Sequence, residues 1–140
     1  MAKAKKPRGP SARVKAELAK LPKMSETILE FAKPLLDLTP TKPPTLEDMK
    51  TAVMLANMAW NYPIQGDPRR KDVGAAKLRR LVEEWRDTAA PEVRRLMDDL
   101  MHVRVTKFAH DPRIAIVEVI EAAPDEVRIS ATAALLPDLP

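Results

Sequence analysis

From Thr51 to Gly66 no residue is charged, and Val53, Met54, Leu55, Ala56, Met58, Ala59 and Trp60 fill nearly every face a helix would present. A helix that is apolar almost all round must be covered almost all round, so the rest of the chain has to be arranged about it. Thr45 is placed to cap this helix, and Asp48, three residues on, completes a weaker form of the Thr-x-x-Glu box. The uncharged run is too short to span a bilayer, contains Asn57 and Asn61, and is expected to end at Tyr62-Pro63. Two readings stand: a wholly enclosed core helix, or one with an apolar side left open to a second subunit.

The other elements follow from periodicity and proline. The chain has 3 glycines against 14 prolines, which favours helices joined by proline-marked breaks. After Pro22, Ser25 is the expected cap of a helix, with Met24 stapled onto Leu29 and an apolar stripe of Ile28, Leu29, Ala32, Leu35 and Leu36. Pro34 predicts a kink or a restart. Asp72 caps a third helix reaching Thr88, with Leu78, Leu81, Val82 and Trp85 inward and charges outward, including the i,i+4 pairs Arg79–Glu83 and Arg80–Glu84. Pro91 suits the first turn of a fourth helix, to about Lys107, lined by Val93, Leu96, Met97, Leu100 and Met101. Arg104 falls on its apolar face and is expected either to snorkel or to pair with a carboxylate. Alternatively, a three-stranded meander starts near His102.

Residues 113–121, RIAIVEVIE, are rich in β-branched side chains and read as a strand. Pro124-Asp125 forms a turn, and Val127–Leu135 alternates as the second strand of a hairpin. The first strand is apolar on both faces, with Ile114, Ile116 and Ile120 on one side and Ala115, Val117 and Val119 on the other. One face can cover the helices; the other, or the strand's free edge, calls for a partner. The expected fold is therefore α+β and mainly helical: a bundle of about four helices with a C-terminal antiparallel β-hairpin. Residues 24–140 form one domain, and residues 1–23 a basic, loosely ordered arm.

Composition removes several chemistries. Too few glycines remain for a phosphate-cradling loop, and the absence of cysteine excludes disulfides, thiolate metal sites and cysteine nucleophiles. No apolar stretch of leader type follows the basic N-terminus, so the expectation is a cytoplasmic protein without membrane association. The arm carries eight basic residues against Glu17 alone, a net +7; the chain total is +4, so the remainder carries −3. A polyanion could bind Lys3, Lys5, Lys6, Arg8, Arg13 and Lys15, joined by the loop residues Arg69, Arg70 and Lys71. No aromatics interleave with these charges for base stacking.

Catalytic candidates are thin. On a helix Asp98 could orient His102 four residues on, and His110 stands beside the turn-forming Asp111, but no nucleophile lies near them and no metal-ligand spacing occurs. No metal or cofactor is expected. The function expected is a small non-enzymatic protein–protein interaction or adaptor module. It would be a homodimer associating through the hairpin residues Ile114, Ile116, Val117, Val119 and Ile120. The alternative is a nucleic-acid-binding accessory protein that uses the basic arm.

Overall fold

A computed structural model describes residues 16, 18–39, 45–124 and 126–139. Within them the order is α1 (Met24–Leu36), α2 (Leu46–Gln65), α3 (Val73–Thr88), α4 (Pro91–Thr106), β1 (Ile114–Ala123) and β2 (Glu126–Ala134). The fold is α+β and mainly helical, with the two strands forming one antiparallel sheet. No helix among the described residues is long and apolar enough to cross a membrane.

The uncharged helix α2 is the hub. It packs against α1, α3, α4 and β1, while β2 rests on α1. Ala52, Val53, Leu55, Ala56, Met58, Ala59, Trp60 and Asn61 are buried along it. The Thr45 hydroxyl accepts from the Asp48 amide at 3.1 Å, and the Asp48 carboxylate accepts from the Thr45 amide at 3.4 Å, so the reciprocal cap read from the sequence is present. The helix does not stop at Tyr62-Pro63. Proline forfeits only one rung so close to the end, and the chain continues to Gln65 before Gly66 closes it. A Cβ at Gly66 would stand 2.7 Å from the Tyr62 carbonyl oxygen, so this close approach requires glycine.

Several local expectations are corrected. Helix α1 begins two residues earlier than the Ser25 cap would allow: Lys23 is the N-cap, without a side-chain bond. Met24 is buried inside the first turn rather than stapled onto Leu29, which is exposed, and Phe31 takes the inward position. Pro34 sits in the final turn, and among the described residues no second helix restarts between it and α2. Asp72 caps α3 through the Ala75 amide and Pro91 opens α4, both as expected. Arg79, however, turns back to donate to the Asp67 and Arg70 carbonyls, tying α3 to the loop before it.

The largest correction concerns Arg104. It neither snorkels nor pairs with a carboxylate; it is 2 % exposed. Its Nε donates to the Trp60 carbonyl at 3.0 Å, Nη1 to that of Phe108 at 2.6 Å, and Nη2 to those of Asp111 at 2.7 Å and Arg113 at 3.3 Å. The guanidinium also lies 3.8 Å from the centre of the Trp60 ring. Burial pulls its pKa down to about 10, opposed by the charge of Asp111, so it stays cationic at neutral pH. Trp60 itself is fully buried, donates its indole N–H to the Arg113 carbonyl at 2.8 Å, and meets Phe31 and Phe108 edge-on at 5.3 and 5.2 Å.

A second buried arginine finishes the junction. Arg113 is held by both oxygens of Asp111, donates to the Pro22 carbonyl and reaches the Thr27 hydroxyl. Asp111 therefore does more than turn the chain before Pro112: it neutralises a buried cation. Replacing Arg104 by methionine keeps the apolar stem and strands the carbonyls it serves. At about 1–3 kcal/mol for each buried group left unpaired, the loss should reach about 3 kcal/mol or more. Urea unfolding should show this as a lower midpoint at unchanged slope; an unshifted midpoint would remove Arg104 from its central role.

Candidate functional site

The strongest candidate is the outer edge of β1 and the groove beside it. Register decides which backbone groups face outward. Strand β1 pairs with β2 so that Ala115 opposes Ala133, Val117 opposes Ala131 and Val119 opposes Ile129. In an antiparallel ladder, residues alternate between exchanging both hydrogen bonds with the partner strand and exchanging neither. Ala115 gives its amide to the Asn61 side-chain oxygen at 2.8 Å and accepts from the Asn61 side-chain nitrogen at 2.9 Å. Its backbone groups thus point away from β2, and by alternation those of Val117 and Val119 do too. Among the described residues neither of these two valines has a hydrogen-bond partner on that side.

Asn61 acts as a plug that satisfies the edge at Ala115, where α2 runs close alongside. Farther along, the two elements part and leave an open groove of about 480 Å³. Lys50, Val53, Met54 and Asn57 form its helical wall; Val117 to Ile120 form the other. Met54 is 52 % exposed and breaks the otherwise complete cover of α2. Thus the hub helix has one open apolar position, and it faces the unpaired strand edge.

The five predicted interface residues divide. Val117 and Val119 point inward and pack against the core together with Ile129 and Ala131 of β2. Ile114 is buried at the start of the strand. Ile116 and Ile120 lie on the outer face, 60 % and 45 % exposed, with Glu118 between them. Across the sheet these three meet Thr132, Arg128 and Ser130. The edge, unlike the exposed isoleucines, was not resolved by residue type alone, because Asn61 sits 54 positions away in sequence.

The other candidates are not brought together. Asp98 pairs with Arg86 across to α3, while His102 and His110 are both exposed. His110 borders a shallow cleft with Leu21, Glu30 and Lys107. Among the described residues no group of three or more His, Asp or Glu could hold a metal ion. In the basic loop, Arg69 clamps Asp67 through two nitrogens, and this ion pair holds the Asp67 carboxyl down at about 2. Arg70 is engaged by the Ile64 and Pro137 carbonyls, and among the described residues Lys71 is the exposed charge of the three without such a bond. Lys3, Lys5, Lys6, Arg8, Arg13 and Lys15 lie outside the described residues.

Compared with protein-family models, curated proteins and solved structures, the chain finds no match.

The edge assignment makes a prediction for the isolated chain. Amide exchange should be slow at Ile116, Glu118 and Ile120, which point to β2, and at Ala115, which Asn61 covers, but fast at Val117 and Val119. Asn61→Ala should release the Ala115 amide and destabilise the fold by about 1–3 kcal/mol. Uniform protection along β1 in a demonstrably monomeric sample would refute the assignment.

Proposed function

We propose that this chain is a small, non-enzymatic interaction module that self-associates through its C-terminal hairpin. The observation that carries the reading is the backbone of Val117 and Val119, which finds no partner among the described residues and stands at the mouth of an apolar groove. An exposed strand edge is a template for another strand, and proteins usually blunt such edges with proline, lysine, a bulge or a covering loop. Here the register shift lies beyond the seam, between Glu121 and Ala123, and among the described residues Asn61 covers the edge at its first position, Ala115. The nearby exposed Ile116, Ile120 and Met54 supply the apolar area that strand pairing alone lacks.

Among the described residues Asp98 is paired with Arg86, and His102 and His110 are exposed on separate parts of the surface.

Val119→Pro is the discriminating variant. The Val119 amide points away from β2, so proline removes an outward donor and leaves the β1–β2 ladder intact. In analytical ultracentrifugation the parent chain should sediment as a dimer that dissociates on dilution. The proline variant should be a monomer with an unchanged circular dichroism spectrum. A parent chain that is monomeric at every concentration would refute self-association, and a variant that stays dimeric would move the interface elsewhere.

A further inference from the structure

Residues 116–120 read Ile-Val-Glu-Val-Ile, the same in both directions. Antiparallel pairing of a strand with its own copy sets the sequence against its reverse. We infer that the occupant of the β1 edge is the β1 edge of a second copy, related by a two-fold axis through Glu118. This rests on the self-association proposed above and specifies its register.

Three independent constraints meet at this register. The first is hydrogen-bond parity. With the axis at Glu118, Val117 opposes the partner's Val119, and both present outward amides and carbonyls, so the two backbones exchange bonds on each side of the axis. The second is side-chain identity. Ile116 opposes the partner's Ile120, so the exposed isoleucines of the outer face cover each other in two equivalent pairs. An interface of this kind is isologous, one patch against its own copy, and it closes at two. The third is extent. One step beyond the palindrome the partner's Glu121 would face Ala115, whose backbone Asn61 has already satisfied, so backbone exchange is confined to the two Val117–Val119 pairs and the partner's Glu121–Ala123 must bend away from Asn61.

The opposite edge of the sheet lacks this property. Strand β2 reads Val-Arg-Ile-Ser-Ala-Thr-Ala over 127–133, and reversal sets unlike residues against each other. Nor does a register shifted to centre on Val119 serve as well: it would put each exposed isoleucine against Glu118 or Ala122.

The axis carries a penalty that identifies it. Two copies of Glu118 stand directly opposite in a non-hydrogen-bonded pair, with Cα atoms about 4.5 Å apart. Lys50, which lines the groove, and Arg128, two residues along on β2 and already paired with Glu126, are the cations nearest to hand. Like charges at directly opposed positions weaken a strand pair, so neutralising Glu118 should strengthen association.

The test uses the full chain, which has no native cysteine. Glu118→Gln should tighten the dimer, by up to about fivefold in Kd. Glu118→Cys should form a disulfide-linked dimer under mild oxidation, since a non-hydrogen-bonded pair lies within disulfide reach. A mixture of Glu118→Cys and Ile120→Cys chains should give no mixed disulfide. Looser or unchanged association in Glu118→Gln, or a mixed disulfide in the mixture, would overturn the register while leaving self-association standing. Parent chain that never dimerises would overturn both.

Discussion

One buried guanidinium holds this fold together. Arg104 comes from the last turn of α4 and gathers carbonyl oxygens from α2, from the α4 end and from the segment entering β1. No neutral side chain could donate to so many acceptors from one plane, and arginine's fixed fork suits carbonyls that converge from different elements. The Trp60 ring beneath it excludes water and faces the cation with its π-cloud. Because Arg113 and Asp111 continue the same cluster to Thr27 and Pro22, this junction ties α1, α2, α4 and β1 into one body.

That junction also sets the position of the candidate interface. Strand β1 leaves the cluster at Ile114, pinned to α2 by Asn61 at Ala115, and then diverges from the helix. A two-stranded sheet is marginal alone. Here its inner face is held by Val117, Val119, Ile129 and Ala131, so the unpaired edge is presented on a rigid support rather than on a loop. Self-pairing would extend it to four strands across the two-fold.

Much of the architecture was legible in the sequence. The uncharged run named the hub helix, Thr45, Asp72 and Pro91 marked three helix starts, and β-branched density marked the hairpin. These signals are local, carried by residues within a few positions of each other. What remained hidden depends on contacts between distant segments. Arg104 on an apolar face suggested a partner, but its acceptors are backbone carbonyls, which every sequence offers everywhere. Asn61 looked like a polar blemish in an apolar helix, and its role at Ala115 requires the strand to be in place. Pro63 misled because its position relative to Gly66, near the helix end, made its lost rung cheap. The palindrome at 116–120 gains meaning only from the register, which turns the backbone of Val117 and Val119 away from β2.

In the proposed dimer the edge of β1 pairs with its own copy across Glu118. Isotope-filtered NMR on a one-to-one mixture of labelled and unlabelled chain tests it directly. Cross-peaks between Ile116 of one copy and Ile120 of the other, with a close approach of the two Glu118 α-protons, are the predicted result. A sample that is dimeric by mass but shows no intermolecular contact along residues 116–120 would contradict it.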